Sequence, residues 1–232
     1  MGHRRRVWEK MAELKARGEG IYSPRMREEY YAHIHQGRFA GSRGGEHEPR
    51  WRGVRLSKMP QDLLLYAQTI FHRKPDYIIE TGRRFGGSAL FFGDLLLLAG
   101  GRSVFSVDIS PNVNGMPPHP FVKYFNGDST DPKLFNQIKN RVQERTPGSV
   151  MVILDSDHST EHVTKELEMY STLVTERQFI VVEDCWTSGK RPHGPYYAVN
   201  EWLKSNSNFV RQPVTDRFIF GITMDGWLER MK

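Results

Sequence analysis

The sequence predicts an α/β fold: a mostly parallel, seven-stranded sheet with helices on both faces and an antiparallel hairpin at its C-terminal edge. Three observations carry this. Strand-length apolar runs alternate with helix-length segments from residue 61 onward. The best of these runs, such as Val150-Met151-Val152-Ile153-Leu154, are apolar at every position, as strands buried on both faces must be. The last two runs, at 209–212 and 217–223, have few residues between them, so they read as a hairpin at the sheet edge.

The elements follow in order. Residues 1–50 read as a helix around 7–16, then as polar, Gly- and Arg-rich sequence through Gly44-Gly45 and Pro49. That composition suits an arm or lid, leaving 51–232 as the domain proper. Trp51-Arg52-Gly53-Val54 and Pro60 lead into a helix over 61–71, whose Leu64, Leu65, Ala67 and Ile70 mark a packed face. A strand over 77–80, a glycine-bearing turn over 82–88 and a hydrophobic helix over 89–98 come next. Strands at 103–108 and 122–125, a polar helix over 131–142 and the strand at 150–154 continue the alternation. A helix over 161–173, a strand at 179–182 and a helix over 196–204 lead to the terminal pair.

Bulk properties exclude several classes. With 232 residues, 38% of them hydrophobic, the chain can bury a full core, and one domain with appendages is the default. No 18-residue apolar run and no signal-peptide core is present, so a cytoplasmic protein without membrane insertion is expected. One cysteine, Cys185, permits neither an internal disulfide nor a cysteine-rich zinc site. The net charge of +6 owes much to Arg4, Arg5, Arg6, Lys10, Lys15 and Arg17, which suit a solvated helix face. With no RNP-like motif or zinc knuckle, no nucleic-acid partner is expected.

In an open α/β sheet, ligands bind beyond the carboxyl ends of the strands. Here the first tip is Glu80-Thr81-Gly82-Arg83-Arg84-Phe85-Gly86-Gly87-Ser88, in which Gly82 can turn tightly and Gly86-Gly87 admit a ligand to a helix N-terminus. Its spacing matches neither the dinucleotide fingerprint nor the phosphate loop, and plain helix–strand packing would also explain it. After the second strand, Asp108 can accept both hydroxyl hydrogens of a ribose. After the third, Asp128 can accept from an adenine amino group. Each acid could equally cap the element that follows.

The fourth and fifth tips concentrate charge. One run ends in Asp155-Ser156-Asp157-His158 and the other in Glu183-Asp184. Adjacent parallel strands would bring these four carboxylates and the imidazole together, and such a group needs a cation or protonation. Oxygen donors without thiolates suit Mg²⁺ first, with Mn²⁺ or Ca²⁺ as substitutes. The alternative is that Asp157 and Asp184 cap helices while Asp155 pairs with an arginine.

These residues resemble the cephalosporin hydroxylase family, a group of proteins with the methyltransferase fold. The resemblance rests on Ile78-Ile79-Glu80-Thr81-Gly82 with Gly86-Gly87-Ser88-Ala89-Leu90, on Val107-Asp108-Ile109, and on Asp155-Ser156-Asp157-His158-Ser159 with His162-Val163. Val182-Glu183-Asp184, Gly194-Pro195, Glu201-Trp202-Leu203 and Asp225-Gly226-Trp227-Leu228 extend it, from about Trp51 to the C-terminus. It implies a Rossmann-like methyltransferase fold with S-adenosylmethionine at Glu80, Thr81, Gly82, Gly86, Gly87, Ser88 and Asp108. Asp128 and Asp155 are expected at the same cofactor. Mg²⁺ is implied at Asp155, Glu183 and Asp184, with Asp157 a rival to Asp155.

The sequence is similar, more distantly, to catechol-type metal-dependent O-methyltransferases. Their pattern is an Asp, a Lys three residues later and an Asp-Asn pair at the next tip. Here Asp155 takes the first place, His158 the Lys place, and Glu183-Asp184 replaces the pair. The expected reaction is metal-assisted methylation of a hydroxyl on a small natural product or sugar, with His158 either the base or a hydrogen-bonding partner. Trp186, His193, Tyr196 and Tyr197 are candidates for an aromatic wall around that acceptor, or for ordinary packing. Two other readings remain: a hydroxylase, for which no facial iron triad stands out, and a binding protein acting through a partner. A homo-oligomer is a common arrangement for such enzymes.

Overall fold

The computed structural model describes residues 49–110, 116–143, 148–185, 193–214 and 221–232. The predicted arm helix over 7–16 lies outside them, as do Trp186 and most of the 217–223 run.

A short hairpin opens the described chain, β1 (Arg50–Trp51) against β2 (Val54–Arg55). Helix α1 (Pro60–Arg73) starts on a proline, whose missing N–H costs nothing at a first helical position. Its buried face is Asp62, Leu65, Tyr66, Thr69 and Ile70, whereas Leu64, expected on the packed face, is 48% exposed. Then follow β3 (Tyr77–Thr81), α2 (Gly87–Ala99), β4 (Ser103–Asp108), β5 (Val122–Asn126), α3 (Pro132–Gln143) and β6 (Val150–Leu154). The chain ends with α4 (Thr160–Tyr170), β7 (Phe179–Val182), α5 (Pro195–Ser205), β8 (Phe209–Arg211) and β9 (Trp227–Arg230).

The main sheet has seven strands in the order β5-β4-β3-β6-β7-β9-β8. Strands β3 to β7 pair parallel, and β9 runs antiparallel to both β7 and β8. The order reverses at β3, where chain leaves first toward β4 and later toward β6, so the crevice beyond β3 is the expected ligand site. Alternate residues of each strand feed opposite cores. Ile79, Phe105 and Val152 pack with α3, α4 and α5, while Ile78, Val104 and Met151 pack with α1 and α2. Helix α2 is apolar nearly all round because α1 and the β1–β2 hairpin cover the side away from the sheet.

One element departs from the sequence reading. The antiparallel partner of β7 and β8 is Trp227–Arg230, beyond the expected 217–223 run, of which only 221–223 is described and is not strand. The backbone N–H groups of Ile222 and Thr223 are spent on the Asp62 carboxylate at 2.9 and 3.4 Å, and the chain turns through Thr223 to Gly226 before the ladder begins. Trp227 then fills the core against Tyr66 and Phe179.

Candidate active site

A cleft of about 1010 Å³ opens beyond the carboxyl ends of β3, β4, β5, β6 and β7. Gly82, Ser88, Asp108, Asp128, Asp155, Asp157, His158 and Asp184 line it, and the strap from Arg50 to Lys58 forms one wall. That strap is pinned to α2: Asp94 accepts from the Trp51 indole at 2.7 Å and from two nitrogens of Arg52 at 2.7 and 2.8 Å, and contacts His119 at 3.2 Å.

The glycine turn is shaped mainly by its own neighbours. Gly82 has φ +79, and a Cβ there would lie 1.9 Å from the Asp155 carbonyl oxygen, so its glycine lets the β3 and β6 tips touch. A Cβ on Gly87 would meet the Arg55 carbonyl at 2.3 Å, so that residue seats the strap on α2. Gly86, in the left-handed region, begins α2 with no side-chain cap. Glu80 and Thr81 are fully buried; Glu80 accepts from the Ser106 hydroxyl at 2.7 Å, and burial pushes its carboxyl up. Arg83, which the sequence did not single out, donates to the carbonyls of Phe125 and Ser110 and to Asn126, tying the β4 and β5 tips to the turn.

The isolated acids hold turns as well as facing the cleft. Asp108 accepts from the backbone N–H of Arg84 and of Ser110, each at 2.7 Å, and Asp128 accepts from the N–H and hydroxyl of Thr130. Asp157 is exposed and accepts from the Ser159 N–H at 2.7 Å, while the Ser159 side chain caps α4. A further polar chain lies along this wall: Ser156 donates to Glu166, and His162 contacts Ser129 at 2.9 Å.

Parallel pairing of Leu154 with Val182 sets Asp155 beside Glu183, as the strand-tip argument requires. The side chains then part. Donor atoms of Asp155, His158 and Asp184 lie within 4.8 Å of one another, and His158 Nε2 meets Asp184 Oδ2 at 3.0 Å. Asp184 reaches this point from a left-handed backbone, φ 56, which Asp tolerates better than most residues. The hydrogen bond to Asp184 pushes the His158 pKa up to about 9. Glu183 instead turns inward: its Oε1 accepts from Lys58 Nζ at 2.7 Å and from the Tyr66 hydroxyl at 2.6 Å. Its Oε2 is buried with no hydrogen-bond partner among the described residues.

Lys58 Nζ also donates to Asp155 Oδ2 at 2.8 Å, with its side chain only 1% exposed. Burial opposes its charge, but Asp155 and Glu183 outweigh burial and raise its pKa. One ammonium faces two carboxylates, so any proton sharing falls on the acids, and burial pushes both Asp155 and Glu183 up. Nothing in the sequence distinguishes Lys58 among the basic residues of the strap, although a buried acidic pair demands some cation.

Of the aromatic candidates, His193 is exposed, Tyr197 is 37% exposed and Tyr196 packs on the core beneath Arg211. None of the three lines the cleft.

Residues 46–231 match the model of the rhamnosyl O-methyltransferase/CmcI family. The chain belongs to this family. A rhamnosyl O-methyltransferase of Mycobacterium leprae is 32% identical over 189 residues, covering 78% of this chain and 82% of that protein. The structure of CmcI with Mg and SAM superposes with a TM-score of 0.61 at 21% identity, over 79% of this chain and 77% of that one. An O-methyltransferase from Bacillus cereus in complex with SAH gives 0.50 at 15% identity, over 66% and 73%. Membership together with the seven-stranded topology makes this family member an S-adenosylmethionine-dependent methyltransferase that acts on oxygen. No helix among the described residues is long and apolar enough to cross a membrane.

Proposed function

We propose that the chain is a divalent-metal-dependent O-methyltransferase whose acceptor is a hydroxyl of a sugar or sugar-bearing natural product, with a rhamnoside the first acceptor to try. The observation that carries this reading is the convergence of Asp155, Asp184 and His158 at the mouth of the cleft beyond β6 and β7. The sugar is suggested by the relative named as a rhamnosyl O-methyltransferase, which matches over most of both chains.

The donor set fits a hard cation. Asp155 and Asp184 would hold Mg²⁺ through carboxylate oxygens, and Mn²⁺ would be accepted beside an imidazole. Such an ion, when bound, supplies a Lewis acid that lowers the pKa of an acceptor hydroxyl and orients it. S-adenosylmethionine would lie along Gly82, Ser88, Asp108 and Asp128, all of which line the cleft. Asp108 would take the ribose and Asp128 the adenine edge, each keeping the backbone donors it already holds.

The chain's own contribution is position and proton transfer. Methyl transfer forms an oxygen–carbon bond as the sulfonium–carbon bond breaks in line, and the hydroxyl proton must leave. His158 Nε2 is the group to receive it. That nitrogen now donates to Asp184, so His158 becomes an acceptor once that bond is given up and its pKa falls back toward neutrality. The strap and the β6 and β7 tips enclose the reacting atoms, which favours near-attack geometry.

The test is S-adenosylhomocysteine release with a rhamnoside acceptor, with and without chelator, for wild type and Asp184→Asn. Chelator-sensitive release that Asp184→Asn lowers by about a hundredfold or more supports the reading. Release indifferent to both sinks the metal role.

A further inference from the structure

Among the described residues that line the cleft, Ile222 alone comes from beyond Asp184 in the chain, and the mechanism above leaves it unused. We propose that Ile222 reads the acceptor, receiving the methyl group on C5 of a 6-deoxyhexose, and that Asp62 is the positioning residue that holds it there. The proposal rests on the sugar-hydroxyl reading above and narrows it to one class of sugar.

Backbone contacts fix where Ile222 stands. Gly226 N–H donates to the Thr223 carbonyl at 3.1 Å, closing a turn, and the Gly226 carbonyl accepts from Val182 N–H at 2.9 Å. That turn is thereby fastened to the last residue of β7, and a Cβ on Gly226 would collide with the Val182 carbonyl. Ile222, one residue before the turn, stands beside the β7 tip. In the order β5-β4-β3-β6-β7 this is the far end of the cleft from Asp108 and Asp128, where ribose and adenine would lie.

Asp62 clamps the segment from the other side. Its carboxylate is fully buried in the first turn of α1 and takes three donors from two consecutive residues. Ile222 N–H donates to Oδ2 at 2.9 Å, and the Thr223 hydroxyl and N–H donate to Oδ1 at 2.6 and 3.4 Å. Gly221 lets the chain pass this close, since a Cβ there would press on Asp62 Oδ1. Because α1 begins two residues after Lys58, the strap wall and Ile222 are joined through Asp62 in one piece.

Polarity then sets what Ile222 can recognise. Lys58, Asp155, Ser156, His158 and Asp184, which line the same end, are all polar or charged. The acceptor hydroxyl goes to that group, and the half-buried Ile222 offers an aliphatic surface next to it. A hexose carries a hydroxyl or hydroxymethyl at each substituted ring carbon, whereas a 6-deoxyhexose carries one methyl. Seating that methyl on Ile222 removes apolar surface from water on both sides. A hydroxymethyl in its place loses water without gaining a partner. An aliphatic contact of this kind discriminates by about 10–100-fold.

The experiment is S-adenosylhomocysteine release, with Mg²⁺ present, from methyl α-L-rhamnoside and methyl α-L-mannoside, which differ only by the hydroxyl on C6. The readout is the ratio of the two kcat/KM values on one protein, which a lowered folded fraction does not alter. Wild type is expected to favour the rhamnoside by about 10–100-fold. Ile222→Ser should bring the ratio close to one, through a higher KM for the rhamnoside, and Ile222→Val should keep most of it. Asp62→Asn, which sets an amide against the Ile222 N–H, should narrow the ratio while calorimetry shows S-adenosylmethionine binding unchanged.

A wild-type ratio near one overturns the proposal and leaves the sugar reading standing. A wild-type preference that survives in Ile222→Ser also overturns it, and one that survives in Asp62→Asn removes the positioning role of Asp62. If wild type binds S-adenosylmethionine but methylates neither sugar, the sugar reading and this proposal fall together.

Discussion

Gly82→Ala probes the contact on which the site is built. The substitution places a methyl 1.9 Å from the Asp155 carbonyl oxygen, 2.4 Å from its carbon and 2.7 Å from Ser156 Cα, all backbone atoms that no rotamer change can move. It also puts an L-residue at φ +79, at about 1–2 kcal/mol. Forcing apart packed backbone adds about 1–3 kcal/mol, for a total of about 2–5 kcal/mol. At about 2–4 °C per kcal/mol for a domain of this size, the melting temperature should fall by about 4–20 °C. Gly53→Ala is the control. Gly53 has the same φ, +79, but nothing lies within 4 Å of its added Cβ, so only the strain applies. Thermal denaturation with calorimetric titration of S-adenosylmethionine checks both. If Gly82→Ala melts no lower than Gly53→Ala and binds cofactor equally, the β3 and β6 tips are not held by this contact.

Other perturbations follow from the same geometry. Asp62 is buried, and desolvation pushes its pKa up to about 6 from 3.8, so the folded chain binds its proton more tightly than the unfolded chain. Its contribution is full below the unfolded value and is lost as pH rises through about 6, a change on the order of 2–3 kcal/mol. Urea denaturation at several pH values should therefore show wild type gaining on Asp62→Asn as pH falls from neutral to acid; parallel profiles would contradict this. Asp94→Ala leaves Trp51, Arg52 and His119 without their shared acceptor and should destabilise by about 1–3 kcal/mol while weakening cofactor binding. Loss of stability with intact cofactor affinity would show that the strap does not shape the cleft. His158→Gln should lower kcat by about 10²–10⁴ with little change in cofactor affinity, read by single-turnover methyl transfer.

The strands whose chemistry is simplest were legible. Runs such as Val150–Leu154 are apolar at every position because both faces are covered, and that property sits in the residues themselves. The pairing of Asp155 with the Glu183-Asp184 tip was legible for the same reason, since adjacency of parallel strands aligns their ends. Orientation was not. Whether Glu183 faces the cleft or α1 depends on Lys58 and Tyr66, which lie more than a hundred residues away in the chain. The last strand was hard to see: Trp227–Arg230 is only four residues long and ends in Glu229-Arg230, while the described end of the apolar run before it gives its Ile222 and Thr223 N–H groups to Asp62. Asp108, Asp128 and Asp157 illustrate a third limit, because an acid that caps a turn and one that faces a ligand look alike in sequence, and here they do both.

We propose that Asp155 and Asp184 hold a divalent ion beside a bound methyl donor. The most direct test is Mn²⁺ titration of the cofactor-loaded protein by electron paramagnetic resonance, with Asp155→Asn/Asp184→Asn as the comparison. Wild type should bind one Mn²⁺ per chain tightly, and the double variant should lose that site while still binding S-adenosylmethionine. Equal Mn²⁺ binding by both proteins would contradict it.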